Sequence, residues 1–244
     1  MPINPEIFKA YDIRGMYQKG LDEEVAYRLG LAFAELRQEE EGKEKIDIVV
    51  GGDMRSSTPS LKEALIKGLT SRGVNVIDID MVSTPSLYFA VAYFNYDGGV
   101  IVSASHNPAE WNGFKLTRDK AKPVSYDTGI QTLQEKIDRN EFPNAETPGK
   151  IIKRENVLEK QITHDLQYFH ENNIKPLKVA VDTGNGMGAQ YIELLFKNID
   201  AQLIPLNFEF DGSFPAHEAD PLKEENLAEL KKKVAKEKCD LGIA

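Results

Sequence analysis

The sequence predicts an α/β protein in which short buried strands alternate with amphipathic helices. Apolar runs at 45–53, 74–80 and 98–105 have the length of strands, and the segments 56–73 and 83–96 between them have helical spacing. This alternation is typical of a mainly parallel sheet covered by helices. In such sheets a ligand binds beyond the carboxyl ends of the strands, and we expect the functional site there.

The helices of the first half have recognisable start signals. Residues 21–39 place apolar side chains on one face and acidic residues in the first turn, where the helix dipole favours them. The segment 56–73 begins with hydroxyl residues and a proline, and 83–96 begins with Ser83 or Thr84 as its cap. These signals support the order strand, tight turn, helix.

The second half repeats this order after a loop-rich stretch. A polar loop at 117–127 precedes a predicted helix at 128–142, and 143–150 is the most loop-like segment. We therefore place a domain boundary near residue 155, which gives domains at 1–155 and 156–244. The elements predicted beyond it are a connecting helix (155–172), strands (178–182, 201–207, 239–244) and helices (191–198, 223–238).

Composition excludes several functional classes. The chain has 244 residues, 41% of them hydrophobic, and a formal net charge of −9, which argues against nucleic-acid and anionic-membrane partners. A single cysteine, Cys239, forms no internal disulfide and suits the cytoplasm, the location we expect. No apolar run reaches the ~20 residues that span a bilayer. Because a terminal strand frays unless more chain follows, we also expect the natural protein to continue beyond Ala244.

The segment "IVSASHNPAEWNGFKL" (101–116) carries the first candidate site. Ser105 follows an apolar run, His106 is next to it, and Lys115 comes ten residues later. The serine has two interpretations: a hydroxyl before an ordinary Asn-Pro turn, or a reactive group beside a cation that neutralises a phosphoryl group. The Gly-x-Ser-x-Gly elbow and the Gly-x-x-x-x-Gly-Lys-Ser/Thr loop are both absent from the sequence, which argues against a hydrolase and a phosphate-loop nucleotide site.

Five segments together resemble the α-D-phosphohexomutases, and within them the phosphomannomutase/phosphoglucomutase branch. The resemblance covers nearly the whole chain in order and spacing. The segments are "FKAYDIRG" (8–15), "GGDMRSSTP" (51–59), "SASHNPAEWNGFK" (103–115), "VDTGNGMG" (181–188) and "DGSFPAHEADPLKEENL" (211–227). The resemblance implies two consecutive mixed, mainly parallel, three-layer α/β/α domains.

The resemblance also implies phosphoryl transfer through a phosphoserine at Ser105. The phosphoserine donates its phosphoryl group to a hexose phosphate, and the bound 1,6-bisphosphate reorients and returns its other phosphate. Arg14 and Lys115 match the cations that such a transfer needs. His106 has either a supporting role near the phosphate or a structural one.

Further residues are implied with less direct roles. Tyr11 and Asn107 are expected to help bind the phosphate. Arg55 either orders the phosphoserine loop or pairs with a nearby carboxylate. The loop "TGNGMG" breaks the dinucleotide spacing Gly-x-Gly-x-x-Gly, and we interpret it as a structural turn. The lysine-rich run 231–238 is interpreted as the solvated face of a helix.

The resemblance implies Mg²⁺ as the cofactor, bound to the phosphate on Ser105 and to three aspartates of a loop beyond Ala244. These hard oxygen ligands suit Mg²⁺. We therefore expect these 244 residues to be inactive alone and the full-length protein to interconvert hexose 6-phosphates and hexose 1-phosphates.

Two alternatives stay open at this level. Phosphoglucosamine mutases share the serine motif, although "KAYDIRG" favours the mannose/glucose branch. Ala216, Glu218, Ala219 and Asp220 depart from the commonest pattern of that branch. The other alternative is a non-catalytic phosphosugar-binding or regulatory protein.

Overall fold

A computed structural model describes residues 3–143, 145–168 and 176–244. Its contacts divide the chain into two compact units. The first unit comprises the residues up to Ala104 together with Glu110–Val157, and the second comprises Ser105–Ala109 and the described residues of Leu158–Ala244. The predicted connecting helix at 155–172 lies partly outside the described residues.

The first unit contains these elements in chain order: β1 Ile13–Tyr17, β2 Gly20–Leu21, α1 Glu23–Glu41, β3 Asp47–Gly52, α2 Thr58–Ser71, β4 Asn75–Met81, α3 Thr84–Tyr93, β5 Gly98–Val102, β6 Trp111–Arg118, α4 Gln131–Arg139 and β7 Ile151–Lys153. Among the described residues these strands form one seven-stranded sheet in the order β2-β1-β6-β5-β3-β4-β7. β6 pairs antiparallel with both β1 and β5, and the other pairings are parallel.

Two helices of this unit begin with a side-chain cap, and the cap of α3 is one of the two residues that the sequence predicts. The predicted hydroxyl cap of α2 is not formed, because Ser57 makes no side-chain cap hydrogen bond. Asp22 caps α1 by accepting a hydrogen bond from the Val25 amide at 3.0 Å. Ser83 caps α3 by accepting one from the Ser86 amide at 3.4 Å. Each cap satisfies an amide that has no partner within the first turn of its helix.

Helices cover both faces of the sheet. Side chains alternate along a strand, so Ile48 and Val50 of β3 enter the core that holds α1, α2 and α4, whereas Val49 enters a second core with Leu87 of α3. Buried runs of this kind require helices on both faces. The predicted mixed, mainly parallel, three-layer α/β/α fold is confirmed for this unit.

The second unit repeats the α/β pattern on a smaller scale. Its elements are α5 Val157–Leu166, which begins at the last residue of the first unit, β8 Leu177–Asp182, α6 Gly188–Phe196, β9 Ala201–Leu206, α7 Ala228–Glu237 and β10 Leu241–Ile243. In the part of this unit that the structure describes, three parallel strands pair in the order β10-β8-β9.

Three predicted segments differ from the structure. The predicted loop at 117–127 begins inside β6, which extends to Arg118 because β5 pairs with it as far as Gly98 opposite Arg118. The predicted helix at 128–142 is shorter, since α4 ends where Asn140 takes a left-handed conformation with φ 52°. β5 ends at Val102, so Ser105 lies beyond the strand rather than in it.

Candidate active site

Two of the predicted cations meet at one buried carboxylate in the first unit. The Lys115 ammonium donates a hydrogen bond to Asp12 Oδ2 at 3.1 Å, and Arg14 Nε lies 3.7 Å from Asp12 Oδ1. The antiparallel register explains this meeting, because Arg14 pairs with Gly113, two residues before Lys115. Paired residues and their second neighbours share one face of a sheet. Asp12 therefore holds both cations on the same face.

Tyr88 lies close enough to this group to respond to its charge. Burial raises the pKa of the Tyr88 phenol, and the negative charge of Asp12 raises it further. Tyr11, predicted to help bind the phosphate, is 77% exposed. No pattern in the sequence singles out Tyr88, since a tyrosine within an apolar helix is ordinary core composition.

Ser105 begins the short stretch Ser105–Ala109 that belongs to the second unit. Its side chain is exposed, and its Oγ lies 3.4 Å from His106 Nδ1. Its φ of 56° is in the left-handed region, which is uncommon for a residue other than glycine. Such conformations cluster at functional sites. Asn107, two residues after Ser105, is partly buried.

Arg55 belongs to a buried polar network at the carboxyl end of β3. It is 1% exposed, and its Nε donates to Asp53 Oδ2 at 3.2 Å while its Nη1 donates to the Trp111 carbonyl at 3.0 Å. Burial lowers the pKa of the Arg55 guanidinium, and the Asp53 carboxylate partly opposes this effect. Arg55 therefore pairs with a carboxylate, as one of its two interpretations predicted, and also joins β3 to β6.

Sequence reasoning missed Asn112, which is completely buried beside this network. Its amide donates to Ser57 Oγ at 2.8 Å and to Thr58 Oγ1 at 3.0 Å, and its Oδ1 accepts from the Gly113 amide at 2.8 Å. In a sequence, an Asn-Gly pair is typical of a turn, but here it lies in β6, a central strand of the sheet. A buried amide whose nitrogen and oxygen atoms are both hydrogen-bonded points to a structural requirement.

The loop after β8 in the second unit is held by its own hydrogen bonds. Asp182 Oδ1 accepts from the Gly184 amide and from Asn207 Nδ2, both at 3.0 Å, and His217 Nε2 lies 3.1 Å from Asp182 Oδ2. Asn185, with φ 59°, bonds to the Glu209 carbonyl at 3.0 Å. These contacts support the interpretation of "TGNGMG" as a structural turn.

His217 is charged more readily than an ordinary histidine. Burial lowers its pKa, but hydrogen bonds to the Glu218 carbonyl and to the Asp182 carboxylate favour the protonated ring, and the net pKa is raised. In the sequence, His217 is marked only by its place in segment 211–227, one of the five segments that carry the family resemblance.

In the part of the chain that the structure describes, no group of three or more His, Cys, Asp or Glu side chains is arranged to hold a metal ion. The Mg²⁺ expected from the resemblance therefore stays a prediction. Within the same residues, no helix has both the length and the apolar character that crossing a membrane requires.

The fold and this geometry define a pair of α/β/α domains with a cation pair and an exposed serine near strand ends. Residues 5–144 match the family described as phosphoglucomutase/phosphomannomutase, alpha/beta/alpha domain I, and residues 158–244 match domain II of the same family. The chain belongs to the phosphoglucomutase/phosphomannomutase family.

Individual relatives agree with this assignment. The chain is 40% identical over 242 residues to a phosphomannomutase of Vibrio cholerae, and 38% identical over 243 residues to one of Escherichia coli K12. Each match covers 97% of this chain and 52% of the relative. A family member from Burkholderia thailandensis has a solved structure with TM-score 0.87 and 34% identity, covering 98% of this chain and 52% of that one. The chain thus spans about half the length of the relatives it matches.

Proposed function

We propose that the full-length protein is a hexose-phosphate mutase that moves a phosphoryl group between O6 and O1 of mannose or glucose through Ser105. The observation that carries this proposal is the match of both domains to the family, with phosphomannomutases among the similar proteins. The exposed Ser105 beyond β5 supports it.

In the first half-reaction the phosphoryl group leaves Ser105 Oγ for the O1 hydroxyl of a hexose 6-phosphate. The Oγ–P bond breaks, the O1–P bond forms, and the proton of the O1 hydroxyl ends on Oγ. The product is a hexose 1,6-bisphosphate. After it reorients, Oγ takes the phosphoryl group from O6, and the proton returns to O6 of the departing hexose 1-phosphate.

Transfer of this kind depends on charge neutralisation and alignment more than on covalent help. Arg14 and Lys115, held on one face by Asp12, supply positive charge for the phosphoryl oxygens. His106 Nδ1, 3.4 Å from Ser105 Oγ, supports the serine hydroxyl during proton exchange. Asn107 and Tyr11 are proposed to contact the phosphate.

Mg²⁺ is proposed as the cofactor of the full-length protein, where it would add positive charge at the phosphoserine. None of the steps above is assigned to it, because the described residues contain no cluster of three or more His, Cys, Asp or Glu side chains that could hold a metal ion.

The test is turnover of mannose 1-phosphate and glucose 1-phosphate by the full-length protein in coupled assays, together with phosphopeptide mapping. We expect a phosphoryl group on Ser105 and loss of turnover in Ser105→Ala. Ser71→Ala, at the carboxyl end of α2, is the matched control and should keep full activity. Parental turnover in Ser105→Ala would remove Ser105 from the mechanism, and no turnover by the unsubstituted protein on either substrate would overturn the function.

A further inference from the structure

A closed ring of hydrogen bonds includes the carboxyl end of β5 and extends to Ser103, two residues before Ser105 in the chain. Its members are buried, and each contacts the next by a hydrogen bond or a peptide bond. We name it the strand-end ring, and its residues are Asp53, Thr58, Val102, Ser103, Asn112 and Gly113.

One half of the ring joins β5 to β6 and α2. The Ser103 amide donates to the Gly113 carbonyl at 2.9 Å, and the Gly113 amide donates to Asn112 Oδ1 at 2.8 Å. Asn112 Nδ2 then donates to Thr58 Oγ1 at 3.0 Å. One side-chain amide therefore links the strand beside β5 to the start of α2.

The other half returns to β5 through β3. Thr58 Oγ1 donates to Asp53 Oδ1 at 2.7 Å, and the Asp53 amide donates to the Val102 carbonyl at 3.0 Å. Val102 is bonded to Ser103, which closes the ring. A hydroxyl has one proton to donate, so the direction is fixed: Asn112 donates to Thr58, and Thr58 donates to Asp53.

The ring is connected to three predicted site residues. Ser105 follows Ser103 by two residues along the chain, and Lys115 follows Gly113 by two residues on β6. Arg14 pairs with Gly113 across β1 and β6. A Cβ atom on Gly113 would lie 2.6 Å from the Ile13 carbonyl oxygen. The backbone of β1 is therefore packed directly against Gly113.

We propose that, within the first unit, the strand-end ring fixes both the backbone from which the phosphoserine loop leaves β5 and the strand that carries Lys115, with Asn112 as its central positioning residue. This inference rests on the proposed function. Phosphoryl transfer gains most of its rate from positioning, and a displacement of about 1 Å can cost on the order of 100-fold. Asn112 acts through the ring and does not itself touch the substrate.

Asn112→Asp tests the direction of the hydrogen bonds in the ring, because the two side chains have almost the same shape. The carboxylate has no proton to donate to Thr58, so the Thr58 hydroxyl is drawn toward residue 112 and away from Asp53, and a second negative charge is placed beside Asp53. We expect kcat of the full-length protein to fall about 10- to 100-fold with KM near the parental value.

Asn75→Asp is the matched control in the same unit. Asn75 donates to Asp47 Oδ1 at 3.0 Å and accepts from the Lys150 amide at 3.0 Å, at the amino end of β4. This substitution also places a carboxylate against a carboxylate, but far along the sheet from the ring. It should lower Tm and leave kcat unchanged.

Thr58 provides an independent pair of variants. Thr58→Val removes the hydroxyl that closes the ring and should lower kcat as Asn112→Asp does, whereas Thr58→Ser keeps the hydroxyl and should restore it. This pair decides the matter if Asn112→Asp does not fold.

The outcomes separate the two proposals. A folded Asn112→Asp or Thr58→Val protein with parental kcat overturns the positioning role, and so does an equal loss of kcat in Asn75→Asp. Absence of turnover in the unsubstituted protein instead overturns the proposed function, and this inference with it.

Discussion

Lys115 and Asp12, 103 residues apart in the chain, form a hydrogen-bonded ion pair with 3.1 Å between Nζ and Oδ2. Their side chains are 24% and 9% exposed, so the pair is partly shielded from water. Asp12 also lies 3.7 Å from Arg14, so one carboxylate holds both cationic side chains within the first unit. Such preorganised charge lowers the reorganisation that a phosphoryl transfer requires.

Lys115→Gln should lower kcat of the full-length protein about 100- to 1000-fold, the usual cost of removing one preorganised charge partner. The measurement is steady-state turnover with mannose 1-phosphate. Lys122→Gln is the control, since that side chain is 65% exposed and pairs only at 4.0 Å with Asp119. Similar activities of the two variants would contradict the role of Lys115.

Gly68→Ala should destabilise the first unit by about 1–3 kcal/mol through overpacking. A Cβ atom there would lie 2.2 Å from the Tyr27 carbonyl and 3.0 Å from Gly30 Cα, where α2 crosses α1. Urea denaturation followed by circular dichroism measures the change. Gly188→Ala is the control, because its added Cβ meets nothing nearer than 3.5 Å. An unchanged urea midpoint for Gly68→Ala would contradict this prediction, because it would mean that α1 and α2 separate without a cost in stability.

His217 should make stability depend on pH. Its folded pKa is raised above the ordinary value of 6.5, so its contribution is fully present below pH 6.5 and is lost as the pH rises through the folded pKa. The free energy of unfolding should therefore decrease from pH 6 to pH 9 as the His217 charge is lost.

His217→Gln should flatten that decrease, measured by urea denaturation at both pH values. His106→Gln is the comparison, because the His106 side chain is exposed. Equal pH slopes for His217→Gln and the unsubstituted protein would exclude the Asp182 pair as the cause.

Tyr191→Phe should cost about 1 kcal/mol of stability. The Tyr191 hydroxyl donates to Asp165 Oδ2 at 2.8 Å, joining α6 to α5, and burial with this carboxylate raises the pKa of Tyr191 to about 12. When the absorbance of tyrosinate is followed as the pH rises, the curve of the variant should lack its last ionisation. Tyr168→Phe, at a side chain that is 73% exposed, is the control and should leave that last ionisation in place.

The predicted strands and helices that the structure reproduces are those with strong local patterns. β3, β4 and β5 are apolar runs with turns at their ends, α1 has acidic residues in its first turn, and α3 begins after a serine that the sequence predicts as its cap. These signals are local, and tertiary contacts reinforce them.

β6 was not predicted because its local signals oppose a strand. Asn112 and Gly113 favour turns, and Lys115 and Arg118 interrupt any apolar run. The segment is a strand because β1 and β5 bond to it from both sides. The same pairing places Lys115 and Arg14 on one face, a relationship between residues a hundred positions apart.

The family, the α/β pattern and the choice of Ser105, Arg14 and Lys115 as candidates follow from the amino-acid order alone, because they depend on local patterns and motif spacing. The contacts of Asp12 with the two cations and of Asn112 within the strand-end ring become visible only in the folded chain. The physical reason is that hydrogen-bond partners across a sheet are set by strand register, and register is fixed only when the strands pair.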